Sequence, residues 1–166
     1  MSVTVPDPAG MARGETLNGV MDGLVKLAVG PVADALKAAS TRAQTVKVTR
    51  YQPRKPNVPA IWHERRPGRV DLVDTEHDQT EIYIAVILAV KHGEQDTESE
   101  ELERAIDAAL GIYRDALSQR GSLNWVHRAD VTGLEPPTPT EINGVPLLTS
   151  GIVLRLRIVA PRRRRA

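Results

Sequence analysis

The segment from Glu81 to Val90, EIYIAVILAV, restricts the fold of this chain more than any other stretch. Its even-numbered positions are all branched apolar residues, and the odd-numbered positions that follow Glu81 are apolar as well. A period of two is typical of a β-strand, and a strand that is apolar on both sides is typical of the centre of a sheet. We therefore expect a central strand here, in a sheet covered on both faces.

Residues 97–118 predict a long amphipathic helix. Thr97 and Glu100 have the spacing of a capping box, and Gly121 is suited to end the helix. One apolar stripe runs along it, made of Leu102, Ile106, Ala109, Leu110, Tyr113 and Leu117. Because an amphipathic helix is stabilised mainly by packing of its apolar side, we expect this stripe to lie on the sheet.

The remaining segments complete an α+β pattern. An N-terminal helical segment starts near Leu17 and breaks at Gly30 and Pro31, and short strand patterns follow it on either side of a basic, proline-rich loop, QPRKPNVP. The stretch EPPTPTEINGVP predicts a second proline-rich loop, and SGIVLRLRIV predicts the last strand. The order predicts a mostly antiparallel, mixed β-sheet packed against the N-terminal helical segment and one long amphipathic helix.

Length and composition fit one small domain. The chain has 166 residues, and we interpret 1–14 as a flexible arm, 15–160 as a single α+β domain and 161–166 as a basic tail. Aromatic residues make up 3% and Phe is absent, which disfavours functions that depend on base stacking. No export signal or membrane-length apolar run is visible, so we expect no membrane partner.

Candidate catalytic and metal-binding residues are weakly supported. The acidic stretch DLVDTEHDQTE, residues 71–81, is better explained as a solvated turn than as a metal site. A nuclease arrangement needs a carboxylate two positions before Lys91, where Ala89 stands. His63 and His127 have no recognisable catalytic partner, and both are interpreted as structural. We expect no enzyme activity, no cofactor and no metal.

Arginine is concentrated at the end of the chain. Arg155 and Arg157 share one side of the last strand, and four more arginines follow, namely Arg162, Arg163, Arg164 and Arg165. Adjacent guanidinium groups repel one another and cannot all find partners within a small fold. The tail is therefore a candidate contact with DNA or with an acidic protein surface, or it is a solvated end.

The layout over residues 17–159 resembles the tail terminator, or tail completion, proteins of long-tailed bacteriophages. The resemblance depends on the order of the segments EIYIAVILAV, ESEELERAIDAALGIYRDAL, NWVHRADVTGLEP, EINGVPLLTSG and IVLRLRIV. Head-closure and head–tail adaptor proteins share much of this architecture and remain an alternative. A small nucleic-acid-binding module that uses the arginine tail is an alternative from a different class.

The resemblance implies a structural virion protein of the tail neck, assembled in the host cytoplasm. Such a protein forms a ring, commonly of six subunits, that caps the tail tube, stops its polymerisation and joins it to the head connector. The implied partners are other copies of the chain, the tail tube protein, the connector and DNA in the lumen. Because a ring needs unlike complementary patches, the hypothetical subunit or tube contacts are Arg54, Lys55, Asp74, Glu76, Asp78, Arg155 and Arg157.

Overall fold

The computed structural model describes residues 15–39, 45–72, 77–93, 97–118 and 128–161. They form a five-stranded sheet with helices on one face, which confirms the expected α+β class and the mixed sheet. The predicted arm at 1–14, Gly121, His127 and the arginines at 162–165 lie outside these residues.

Two short helices, α1 (Glu15–Leu27) and α2 (Ala33–Ala39), are joined by a π-helical turn, Ala28–Val32. Gly30 has φ −89° and ψ −106°, which is not helical, and Pro31 follows it. The predicted break is thus confirmed, because proline cannot donate the backbone hydrogen bond that a continuous helix needs there. The long helix α3 (Thr97–Ser118) matches the predicted amphipathic helix.

The strands are β1 (Lys47–Val48), β2 (Ala60–Leu72), β3 (His77–Lys91), β4 (Arg128–Ile142) and β5 (Val145–Pro161), in the spatial order β1-β2-β3-β5-β4. Only the pairing of β1 with β2 is parallel. Strand β2 continues through Pro67 with a shift of register between Arg66 and Arg69, so that the patterns before and after this proline belong to one strand.

The main core lies between the sheet and the helices. The even-numbered side chains of β3 from Ile82 to Val90 pack there, together with the buried side of α3, formed by Leu102, Ala105, Ile106, Ala109 and Tyr113. Leu110 and Leu117 of the predicted stripe are half-buried. A smaller cluster on the opposite face contains Ala60, Trp62, Ala85, Ile87, Ala89 and Leu147.

Strand β3 is central, as predicted, but its two sides are covered differently from the expectation. All the described helices pack on the side of the main core, and on the other side the small apolar cluster is followed by Tyr83 and Glu81. The expectation of a sheet covered on both faces holds for Ala85, Ile87 and Ala89, which are buried, whereas Tyr83 beyond them is half-buried. The Ala residues at 85 and 89 are small, which lets that side be filled by neighbouring strands and the 50–58 loop without a second helical layer.

The prediction of a loop over EPPTPTEINGVP was wrong up to Ile142 and again from Val145, and it was correct for the turn at Asn143 and Gly144 between them. Residues up to Ile142 belong to β4, Asn143 and Gly144 form a tight turn with φ of 49° and 80°, and β5 starts at Val145. Strand β4 lies at the edge of the sheet, where proline is tolerated because only one side of the strand must supply ladder hydrogen bonds. The register also shifts between Glu135 and Thr138, which accommodates Pro136 and Pro137 in an irregularity.

Candidate functional site

The side of the sheet that faces away from the helices, called the open face from here on, carries most of the charged side chains of the strands. It is formed by alternate residues, which place Arg155 and Arg157 on the side opposite Leu154 and Leu156. The predicted alternation of the last strand is therefore observed. Other charged and polar members of this face in the described strands include Glu64, Arg66, Glu81, Tyr83, Asp130 and Glu135.

Arg155 and Arg157 each have an acidic partner in the same chain. Arg155 donates to Asp130 Oδ2 of β4 from Nη2 at 2.6 Å and from Nε at 3.2 Å. The hydrogen bond to Asp130 raises the pKa of Arg155. Arg157 Nε donates to Glu81 Oε1 at 2.9 Å, and Tyr83 Oη donates to Glu81 Oε2 at 3.1 Å. Arg155 therefore links β5 to β4, and Arg157 links β5 to β3.

A second charged network crosses the open face near the middle of the strands. Arg66 Nη2 lies 2.9 Å and 3.1 Å from the two carboxylate oxygens of Glu135, and Arg66 Nη1 lies 2.7 Å from Glu64 Oε2. Trp62 Nε1 donates to Glu64 Oε1 at 3.0 Å. Burial acts to lower the pKa of Arg66, but the hydrogen bonds to the two glutamates outweigh it, so that the pKa is raised.

The contact between Arg66 and Glu135 spans most of the width of the open face. Arg66 lies in β2 and Glu135 in β4, and two strands, β3 and β5, lie between them. On a flat sheet, three strand spacings would separate their backbones by about 14 Å. Gly151 of β5 lies beneath this contact, since a Cβ atom there would be 3.0 Å from Glu135 Oε2 and 3.1 Å from Ile87 Cδ1.

Part of the open face forms a groove of about 430 Å³. Its lining includes Gln52, the carboxylates of Glu64 and Glu135, and the hydroxyls of Thr138, Thr140 and Thr149. Thr140 and Thr149 are themselves in contact, with their hydroxyl oxygens 3.3 Å apart. Arg66 neutralises only part of the charge of Glu64 and Glu135, and Glu141 also lines the groove, so the groove is suited to hydrogen bonding with donor groups of another polar surface.

The basic loop, defined as residues 47–55, is fixed to the end of the open face near the β4–β5 turn. The side-chain amide of Asn143 donates to the carbonyl oxygen of Arg54. Arg54 and Lys55 are exposed, and so is Lys47, whose strand partner Ala60 belongs to the open-face cluster. These exposed cations thus lie on the open-face side of the sheet.

The predicted interface residues fall into separate groups. Arg155 lies ten residues along β5 from Val145, roughly 33 Å from the turn that holds Arg54, so the two basic groups occupy opposite ends of the open face. Asp78 lies in β3 opposite Ala160, but its side chain is outside the described part. Asp74, Glu76 and the arginines at 162–165 are also outside it, and their role stays a prediction.

Sequence reasoning missed the network of Glu64, Arg66 and Glu135. Trp62, Glu64 and Arg66 alternate along one strand, and this period of two could have placed them on one side. Glu135 could not be found in this way, because the interpretation of its segment as a loop removed it from any strand face.

His63, one of the two candidate general bases, lies on the helix side of β2. It is 1% exposed, and its Nδ1 lies 3.3 Å from the carbonyl oxygen of Thr49. Burial is the main cause that lowers its pKa. Within the described residues, His63 Nε2 and the Tyr113 hydroxyl are buried without a hydrogen-bond partner, and burial raises the pKa of Tyr113. His63 is therefore a core residue placed away from the groove.

In the segments that the structure describes, no three or more His, Asp or Glu residues are grouped in a way that could hold a metal ion. No helix in the same segments is long and apolar enough to cross a membrane.

Comparison with known proteins does not assign the chain to a family. No protein-family model matches the sequence, and no curated protein matches it significantly.

Proposed function

We propose that this chain is a tail terminator protein of a long-tailed bacteriophage, which forms a ring at the end of the tail tube, stops its growth and provides the joint to the head connector. The proposal combines the order of segments in the sequence with the nature of the open face. It assigns the chain a structural role in the virion neck.

The observation that carries the proposal is the arrangement of ion pairs across the open face. Arg66 links β2 to β4, Arg155 links β5 to β4, and Arg157 links β5 to β3. Side chains held in this way lose little further freedom on binding, so a surface built from them is preorganised for contact with another protein. A concave, polar and preorganised face is suited to docking on the rim of a protein tube.

The proposed function is tested with tube assembly in vitro. The purified chain is added to polymerising tail tube protein encoded in the same genome, and tube lengths are measured by electron microscopy. We expect a ring at one end of each tube and tubes that stop lengthening. Tubes that continue to grow without any ring at their tips, in the presence of excess chain, would contradict the proposal.

The alternative functions differ in measurable ways. A nucleic-acid-binding module would bind DNA with an affinity that falls steeply with salt and that is lost when residues 162–165 are deleted. A terminator would still cap tubes after that deletion. A head–tail adaptor would bind the connector without binding the tube.

A further inference from the structure

The basic loop presents several positive charges and carries no acidic residue of its own. Residues 47–55, KVTRYQPRK, contain no Asp or Glu, and Lys47, Arg54 and Lys55 are exposed. Arg50 of this loop forms an ion pair with Asp22 of α1, with Nη2 at 2.5 Å from Oδ1. The backbone of the loop is fixed, because Asn143 binds the carbonyl oxygen of Arg54 and Thr49 Oγ1 donates to the carbonyl oxygen of Tyr51 at 2.7 Å. The three exposed cations are therefore attached to a backbone that hydrogen bonds hold in place.

Helix α3 presents the opposite charge on its solvent side. Its first twelve residues, TESEELERAIDA, carry five carboxylates and one arginine. Glu100, Glu103 and Asp107 are exposed and lie at the spacing i, i+3 and i+7, which places them on one side of a helix. These three residues are called the acidic stripe from here on. Arg104 is exposed on the same side and reduces the charge of the stripe without cancelling it.

The two patches cannot meet within one chain. The buried side of α3 packs on the main core, so that the acidic stripe points away from the sheet on the helix side. The exposed cations of the basic loop lie on the other side, because Lys47 is in register with Ala60 of the open-face cluster and Gln52 lines the open-face groove, whereas Arg50 of the same loop pairs with Asp22 of α1. A contact between the patches therefore needs two copies of the chain, arranged front to back. Repeated contacts of this heterologous kind generate a ring when the rotation closes.

We infer that the basic loop of one copy docks on the acidic stripe of the next copy, and that this contact sets the neighbour-to-neighbour orientation in the ring. This inference rests on the proposed ring. It assigns the solvent side of α3 as the partner of Arg54 and Lys55, and the predicted contacts of Asp74, Glu76 and Asp78 stay a prediction. Complementary charge of this type speeds association and excludes wrong orientations, and it weakens as salt rises.

The test uses two charge-reversed variants of the full chain. One carries Arg54→Glu with Lys55→Glu, and the other carries Glu100→Lys with Glu103→Lys. Each variant alone brings like charges together, and we expect its apparent association constant to fall about tenfold or more in analytical ultracentrifugation. In an equimolar mixture, each reversed patch meets a complementary patch on the other variant, so we expect assembly to return to within about threefold of the original chain.

A matched control reverses two exposed lysines on the N-terminal helices, Lys26→Glu with Lys37→Glu, which changes the net charge by the same amount as the loop variant. We expect this control to assemble normally. Circular dichroism and urea denaturation of all variants separate loss of assembly from loss of folding. If the original chain assembles only on tube ends, the same variants and their mixture are scored there by electron microscopy.

The outcomes distinguish the two proposals. Rings that survive both reversals, or reversals that the mixture does not rescue, would overturn the docking of the loop on the stripe and leave the terminator function standing. A chain that stays monomeric at low salt and also fails to form rings on tubes would overturn both.

Discussion

Glu81 and Arg157 face each other across β3 and β5, and the carboxylate that Arg157 binds at 2.9 Å is only 2% exposed. The neighbouring pair of Arg155 and Asp130 has side chains that are 29% and 28% exposed. The two arginines on the last strand therefore differ in a way that their sequence pattern does not show. One neutralises a buried charge, and the other supports a half-exposed pair.

Arg157→Met should destabilise the protein by about 2 kcal/mol, because it removes the guanidinium group that lies 2.9 Å from the buried Glu81 carboxylate. Arg155→Met is the matched control and should cost about 1 kcal/mol or less, since Asp130 keeps contact with water. Urea denaturation measures both. Equal losses for the two variants would show that the burial of Glu81 does not control the strength of the pair.

Arg66→Met should cost about 2 kcal/mol, because it removes the link between β2 and β4 and leaves Glu64 and Glu135 without their shared cation. Arg65→Met, the control on the next residue of the same strand, changes an exposed side chain on the helix side and should stay within about 0.5 kcal/mol of the original chain. The comparison is made by urea denaturation. A larger loss of stability for the Arg65 variant would contradict the assignment of Arg66 as the link between β2 and β4.

Gly151→Ala should cost about 1 kcal/mol, because the new methyl group would press on Glu135 and Ile87. Gly111→Ala provides the control within the same chain, since Gly111 is an exposed helical residue with open space at the Cβ position. It should stabilise the protein by about 0.5–1 kcal/mol through helix propensity. Thermal and urea unfolding report both changes. If both variants are less stable than the original chain, the loss at Gly151 cannot be attributed to the close approach of Glu135 and Ile87.

Acid should destabilise the protein through His63. Its pKa in the folded state lies below the ordinary value of 6.5, mainly because of burial. The folded state then binds fewer protons than the unfolded state, so this contribution is complete above pH 6.5 and is lost as the pH falls from there through the folded-state pKa.

The pH dependence of unfolding checks this expectation. His63→Gln should flatten the loss of stability between neutral and mildly acidic pH, whereas His92→Gln, at an exposed position, should leave it unchanged. Parallel curves for the original chain and the His63 variant would mean that other groups control the response to acid.

The sequence predicted an element correctly where a single periodicity determined which of its side chains are buried. The alternating residues of β3 and the helical stripe of α3 each have a single arrangement that buries their apolar side chains, so both elements were correctly predicted. The break at Gly30 followed from local backbone chemistry, and it was also confirmed.

The errors came from features that depend on neighbouring strands. Proline at 136, 137 and 139 favours a loop when the segment is considered alone, and only a position at the sheet edge makes a strand possible. The contact between Glu135 and Arg66 is a property of four strands together. It could not be inferred from any one of them, and the charged network at the centre of the open face was therefore missed.

Strand β4 leaves one long border of the sheet available to other chains, and the three prolines in it, with the irregular pairing around them, make that border a poor template for a foreign strand. Addition of a foreign strand along β4 is thereby disfavoured. Any association of the protein along this border must then use side chains instead of a shared ladder of backbone hydrogen bonds.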